Sequence, residues 1–415
     1  MRKLSSIICL VLILSSLCFG AKKQKILRMW TFTDELEKNG AVARFEKQNP
    51  GVKVEIVTVP NEQYIEKIRP VLRANKNAPD IFLGEAVVVK ELVASGFWDN
   101  LAKAPYKANV KDLVPYQVKM ATDSKGILRA LSWQTTPGGF FFRRSIAKQY
   151  LGTDDPEKIG EMLNSTDKFL ATARKLSSES NGEIKIIAGI GDYQEFSFSD
   201  RKQGFMNKSG KLEIDPSLMS FFDVAKTLRD EKLTAELNRW SPPWFENMKK
   251  DGKVFGYVLP TWGLHYVLKT NAPDSKGDWG LTQGPNSYFW GGTWLGIYSK
   301  SKQKKLAWKF VKMMTLDKET LKWWAKSTGD FVGNQAVFEE IKNDFADPYL
   351  NGQNHYKFFA SEAPKVNADI ICKYEQKIRG FFMNAITDYV ENKKTKDEAI
   401  VSFKEEVKSA YPALF

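Results

Sequence analysis

KILRMWTFTDELEKNGAVARFEKQNPGVKVEIVTV, residues 25–59, decides the fold. Ile26 to Trp30 is an apolar run of strand length. Asp34 then stands where a helix N-cap belongs, ahead of an apolar stripe that includes Leu36, Val42 and Phe45. Asn49-Pro50-Gly51 stops that helix, because proline cannot supply the N–H that a continuing turn needs. Val52, Val54 and Ile56 alternate with Lys53 and Glu55, as they should in a half-buried strand. Strand, helix and strand in this order build a parallel sheet.

The alternation continues outward. A helix over about Glu62–Ala74 leads through Ala78-Pro79 into a strand over Asp80–Leu83, and a helix with Leu92 and Val93 ends at Gly96. Ligands of such sheets sit beyond the carboxyl ends of the strands, here at Trp30 and Gly84-Glu85. ALSWQTTPGGFFFRR, residues 130–144, breaks the pattern with Pro137-Gly138-Gly139 and predicts a first passage between two lobes. Residues 145–285 read as mostly helical, with short strands at Ile184–Ile190 and Val254–Leu259. GPNSYFWGGTWLGIYSKSKQKKLAWKFVKMM, residues 284–314, predicts a second passage, a strand and a helix. That helix sets Ala307, Phe310, Val311 and Met314 opposite Lys305, Lys309 and Lys312. STGDFVGNQ, residues 327–335, suits a third passage, and the last stretch reads as amphipathic helices with Phe381, Phe382, Ala385 and Ile386 on one face.

MRKLSSIICLVLILSSLCFGAKK, at the start, has the order of a secretory signal peptide: Arg2 and Lys3, an apolar core, then small residues. The apolar stretch is too short to span a bilayer comfortably, and no later run is long enough. Cleavage after Gly20 is the favoured reading, with Cys18 at −3; lipidation of Cys18 is the alternative. The mature chain then keeps only Cys372, so no intramolecular disulfide forms and the core must hold the fold. Loss of Arg2 and Lys3 lowers the net charge from +13 to +11, with lysines scattered over helix faces as solvated surface. That distribution, in an exported chain, argues against nucleic-acid binding. Twelve Trp, 14 Tyr and 27 Phe are more aromatics than a core of this size calls for, so some are expected at loops.

Catalysis finds little support. The chain has two histidines, His265 and His355, in no HExxH or other metal-ligand spacing, so no metal is expected. It has no GxSxG elbow, no GxxxxGK[ST] loop and no GxGxxG fingerprint; Gly189-Ile190-Gly191 is a lone GxG, the mark of a turn. No cofactor is expected. Cys372 reads as a buried thiol. A carboxylate pair for glycoside cleavage stays open, because only geometry would reveal it.

Four stretches carry a family resemblance: FEKQNPGVKVEIVTVPNEQYIEKI followed by APDIFLGE, then LVASGFWDNL, then DGKVFGYVLPTWG, then GGTWLGIYSKSKQKKLAWKFVKMM. In this order they resemble the extracellular solute-binding proteins of family 1, the maltose-binding-protein-like sugar binders of ABC importers. The resemblance implies a two-lobed α/β fold of the type II periplasmic-binding-protein kind, each lobe a mainly parallel sheet flanked by helices, with hinge crossovers. It implies no enzyme, a carbohydrate held in the inter-lobe cleft, delivery to a membrane permease, and a monomer. The expected division is signal peptide 1–20, N-lobe 21–133 and 290–327, C-lobe 134–289 and 328–415.

Laid on the family pattern, Trp30, Asp34, Glu35, Glu85, Trp262, Gly291 and Gly292 become candidate ligand contacts, with Trp290 and Trp294 beside the glycines. Trp133 and Gln134 in the first passage, and Tyr193 in GDYQEF, join them on position alone. Where maltose-binding protein has an acidic and basic pair, this chain has Val87 and Val88, which argues against maltose and leaves a carbohydrate. The residue types fit a sugar: indoles cover the apolar C–H faces, carboxylates accept from hydroxyls, and glycine lets the backbone come close. A polyamine, peptide or glycerol-phosphate ligand on the same fold is the alternative; a secreted carbohydrate-cleaving enzyme or an adhesion protein stands further off.

Overall fold

The computed structural model describes residues 24–415, so the export segment, the cleavage point and Cys18 lie outside the described residues. Its strands are β1 (Lys25–Thr31), β2 (Val52–Thr58), β3 (Ile81–Glu85), β4 (Ala130–Ser132), β5 (Gly138–Arg143), β6 (Gly256–Pro260), β7 (Trp279–Thr282) and β8 (Thr293–Ile297). They form two sheets, β2-β1-β3-β8-β4 and β6-β5-β7, with helices packed around both. This is the mixed α/β, two-lobed arrangement that the sequence implies. Among the described residues no helix is long and apolar enough to cross a membrane.

Parallel pairing is confined to part of this structure. β1 runs parallel to β2 and β3, as strand–helix–strand crossovers dictate. β8 enters its sheet directly from the second passage, so it starts where β3 and β4 end and runs antiparallel to both. The second sheet departs from the expectation of a mainly parallel one: β5 pairs antiparallel with β6 and with β7. The reason is where these strands begin and end. β5 leaves the passage at Gly138, while β6 arrives back opposite it at Pro260. In the Ile184–Ile190 stretch, parallel pairing is limited to isolated bridges of Lys185 with Val254 and Ile187 with Thr234.

Local chemistry corrects one more expectation. The helix after Asp34 is two helices, Glu35–Lys38 and Ala41–Gln48, separated by Gly40 at φ +82°. Asp34 makes no capping hydrogen bond and instead pairs with Lys38 at 2.6 Å on the surface. Elsewhere the apolar stripes land inside as read. Ala307, Phe310, Val311 and Met314 are buried on the helix Lys304–Thr315, and Phe382, Ala385 and Ile386 on the helix Glu375–Val390, with Phe381 half-buried. β5 is buried on both faces: Phe141 joins one apolar cluster, and Phe140 and Phe142 join the other.

Both histidines end at the third passage. His355 donates through Nε2–H to the Gly329 carbonyl at 3.0 Å, and the His265 ring lies 5.6 Å from the His355 ring. Gly329 has φ +77°, and a Cβ there would stand 2.2 Å from His265, so only glycine fits. Burial brings His355 down to about 4 from 6.5, against the Gly329 carbonyl and Asp347; Lys269 adds to the depression. Burial likewise holds His265 well below its ordinary value, with Lys269 and His355 contributing.

The unfolded chain therefore takes up the His355 proton first, and acidification through this window removes stability. Going from about pH 7 to about pH 4.5 is expected to cost roughly 2–3 kcal/mol through this residue alone. In His355→Gln that component is absent. Denaturant unfolding at both pH values should show the variant gaining on the wild type by this amount; a pH-independent difference would mean that His355 titrates in the fold as it does in the unfolded chain.

Candidate functional site

Three chain passages lie side by side between the sheets. Residues 133–138 run in the middle: Thr135 N–H donates to Phe331 O at 3.0 Å and Gly333 N–H to Trp133 O at 2.7 Å on one flank. On the other flank, Gly138 N–H donates to Tyr288 O at 2.8 Å and Trp290 N–H to Thr136 O at 3.2 Å. Thr136 Oγ1 adds a 2.9 Å bond to Gly291 O. Gly291 at φ +73° and Gly292 at φ +107° turn the chain off this seam into β8, conformations that side chains with a Cβ rarely adopt.

A cavity of about 470 Å³ opens above the seam. Its apolar side is built from indoles. Trp262, in the turn after β6, meets Trp290 edge-to-face at 5.1 Å, and Trp240 lies nearly parallel to Trp262 at 6.1 Å and 15°. Trp262 Nε1 donates to Trp290 O at 3.1 Å, so that its N–H is already used and its ring is what it offers. Trp240 is 51% exposed and holds φ +65°, a strained backbone for a bulky residue. Large exposed hydrophobics are few here, and this one stands at the rim of a cavity.

Trp290 is fixed from behind by charge. The Arg239 guanidinium lies 4.3 Å from its ring centroid, a cation–π contact. Arg239 is itself held by Asp192 at 3.0 Å and Glu195 at 2.9 Å, and Arg379 donates to the other Glu195 oxygen at 2.8 Å. Burial raises the Glu195 carboxyl, and Arg379 and Arg239 more than reverse this, leaving it below its ordinary value. Burial lifts Asp192 above its own, with Arg239 offsetting only part. Both arginines are thus spent within the protein.

The polar side of the cavity is acidic. Glu35 is only 5% exposed, lines the cavity, and its Oε1 has no hydrogen-bond partner. Burial and then the nearby Asp330 charge hold its carboxyl well above the ordinary value, with the Tyr266 hydroxyl opposing. Glu85 also lines the cavity; burial pushes it up to about 7, against the Val87 N–H and the charge of Arg379. Gln134 reaches in from the seam, its Nε2 bonded to Thr293 Oγ1 at 3.2 Å and its Oε1 unpartnered. Glu62, Asn61, Thr33 and Tyr266 complete the rim.

Of the residues singled out from sequence, Glu35, Glu85, Gln134, Trp262, Trp290, Gly291 and Gly292 come together on this cavity. The others lie elsewhere. Trp294 is 1% exposed, packs beneath Gly292, and donates through Nε1 to Gln117 O at 3.1 Å. Trp133 is fully buried and shares Asp330 Oδ2 with Trp324, at 3.2 and 3.0 Å. Burial raises that Asp330 carboxyl to about 6 against the two indole N–H groups. Tyr193 sits in the helix Ile190–Ser199, not a loop, among Phe169 and Phe196, with its hydroxyl 3.0 Å from Thr166. Trp30 lies half-buried one residue before the end of β1 and Asp34 points to solvent; neither lines the cavity. Sequence reasoning missed Trp240, although its place before Ser241-Pro242-Pro243 marks a loop-borne indole as Pro260 marks Trp262. It also missed Arg239 and Tyr266, which carry no local signature.

Residues 40–348 match the family model for bacterial extracellular solute-binding proteins. The putative ABC transporter periplasmic-binding protein YcjN of Escherichia coli strain K12 is 22% identical over 302 residues, 69% of this chain and 67% of that protein. A solved extracellular solute-binding protein of family 1 superposes with a TM-score of 0.81 at 18% identity, covering 93% of this chain and 99% of its own. The ABC transporter-associated binding protein of B. animalis subsp. lactis Bl-04, solved with β-1,6-galactobiose, gives 0.75 at 20% identity, covering 93% and 97%. The GacH receptor of Streptomyces glaucescens GLA.O, solved unliganded and with acarbose, gives 0.74 at 19%, covering 93% and 98%.

The charge cluster behind Trp290 is expected to be costly to break. Glu195→Gln keeps the shape and leaves two buried guanidinium groups under-compensated, which should lower the unfolding free energy by about 3 kcal/mol. Denaturant titration checks this, and a loss below roughly 1 kcal/mol would place the cluster among weakly coupled surface pairs.

Proposed function

The chain belongs to the bacterial extracellular solute-binding proteins, and from that premise we propose that it captures a carbohydrate, an oligosaccharide, between its lobes and hands it to an ABC permease. The observation that carries this reading is the pairing, in one cavity, of three indoles with unpartnered buried acceptors on Glu35 and Gln134. Indole rings lie against the C–H faces of a pyranose, and the acceptors take its hydroxyl protons. A volume of about 470 Å³ falls within the range of small-ligand sites. Sugar complexes of similar folds, with β-1,6-galactobiose and with acarbose, support the ligand class.

On this reading the site residues are Glu35, Glu85, Gln134, Trp240, Trp262, Trp290 and the backbone at Gly291-Gly292. The lobes divide as residues 21–133 with 290–327 and 134–289 with 328–415. No bond is made or broken: the ligand touches both lobes only when they close, and so draws the population toward the closed form. A polyamine is the second reading, favoured by the glutamates of the rim.

A broad oligosaccharide panel tests the proposal by intrinsic tryptophan fluorescence and solution scattering. A binding sugar is expected to change the emission of the exposed Trp240 and to reduce the radius of gyration. Trp262→Ala should weaken that sugar by roughly 10- to 100-fold, the worth of an aromatic platform at the centre of a binding site. Silence across the whole panel would remove the carbohydrate assignment.

A further inference from the structure

The cavity has a charge pattern that the rest of the chain does not share. The sequence carries 62 Lys and Arg against 49 Asp and Glu, yet the cavity is lined by Glu35, Glu62 and Glu85 and by no lysine or arginine. Behind Trp290, Arg239 is hydrogen-bonded to Asp192 and Glu195 and Arg379 to Glu195, with Arg379 easing Glu85 only through space.

Two buried side-chain atoms that face the cavity lack partners, Glu35 Oε1 and Gln134 Oε1, and both are oxygens. None of the unpartnered nitrogens among the described residues belongs to a cavity-lining side chain. A buried carboxyl without a cation is costly to ionise, and a cation supplied by the ligand removes that cost. A ligand carboxylate or phosphate would add acceptors where acceptors already go unpaired, and like charge besides.

We propose that the cleft is selective for a cationic saccharide, an oligosaccharide carrying a free primary amine, whose ammonium donates to Glu35 and Glu85 while its rings lie on Trp240, Trp262 and Trp290. This rests on the carbohydrate reading above and narrows it. A neutral sugar satisfies the same acceptors with hydroxyls alone; the amine adds three charged donors. Acidic sugars are excluded by the same arrangement.

Calorimetric titration at about pH 7 decides it, using matched glucosyl disaccharides of several linkages. Each is presented as the hydroxyl form, the 2-amino-2-deoxy form, the N-acetylated form and a uronate-containing form. Spermidine serves as a sugar-free amine. The amine form is expected to bind at least about tenfold tighter than its hydroxyl and N-acetyl counterparts, as a charge-assisted bond replaces a neutral one, with no binding of the uronate. Glu35→Gln and, separately, Glu85→Gln should weaken the amine form by a larger factor than the hydroxyl form, and so reduce the preference. Because the preference is a ratio within one protein, an unstable variant does not mimic the result, and the wild-type ratio stands without either. Equal or weaker binding of the amine form overturns this inference and leaves the carbohydrate reading intact. Binding of spermidine without any saccharide, or of no probe at all, overturns both.

Discussion

The site depends on one seam of backbone hydrogen bonds, in which residues 133–138 are clasped by the passages at 288–291 and 331–333. Each sheet is anchored there by strand ends: β4 runs into the seam at Ser132 and β5 leaves it at Gly138, while β8 starts just past it at Thr293. Gln134, Trp290 and the paired glycines are members of the seam and line the cavity. A slip of one residue in this pairing would turn the Gln134 and Trp290 side chains to the opposite side. The polar groups that stitch it, Thr136 to Gly291 and Gln134 to Thr293, are buried, where an unmade bond costs more than a made one returns.

Behind the seam the protein invests in buried charge, which by itself is a poor source of stability. The Asp192–Arg239–Glu195–Arg379 cluster is better understood by what it fixes. A guanidinium gripped by two carboxylates cannot rotate, and so it presents a constant flat face to Trp290. Trp290 in turn accepts the Trp262 N–H on its carbonyl, which sets the second ring. Rigid rings lose little entropy when a ligand arrives, and this is the way a buried ionic network can serve binding instead of folding.

Much of this was legible in residue patterns, and the boundary between what was and was not has physical causes. The first strand–helix–strand unit, the stripe at Ala307–Met314 and the passages at Pro137 and Gly291-Gly292 follow from periodicity and backbone chemistry, which are local. Glu35, Glu85 and Trp262 could be flagged because the family pattern places contacts there, and Trp290 because it stands beside the paired glycines. Trp294, beside the same glycines, and Trp133, in the first passage, lie beneath the floor, because the exact place at a strand entry or past a strand end decides inward from outward, and composition does not encode that choice. Tyr193 illustrates the converse. It is core, but its helix supplies Asp192 and Glu195, whose role exists only once Arg239, more than forty residues on, is folded against them. The antiparallel second sheet was hidden for the same reason: strand direction there is set by which end meets the seam, a tertiary fact.

The two walls of the cavity differ in chemistry, and that difference bears on how binding would be coupled to closure. Glu35 and Gln134 follow β1 and β4 of the first sheet and Glu85 ends its β3, with Phe32 and Trp290 beside them; Trp240 and Trp262 come from the chain around β6 of the second, with Tyr266 as its one polar contribution. On the proposed reading, the first lobe alone offers a sugar its acceptors and the Trp290 ring, and the second alone offers the ring faces of Trp240 and Trp262 with little to orient them. Only the two together satisfy both the C–H faces and the hydroxyl rim. A ligand shifts a conformational equilibrium only by its difference in affinity between the states, and walls of unlike chemistry make that difference large where two similar walls would let one lobe bind nearly as well alone. The separation of the acceptors from the Trp240 and Trp262 rings is therefore what would make capture of the ligand and closure of the cleft a single event.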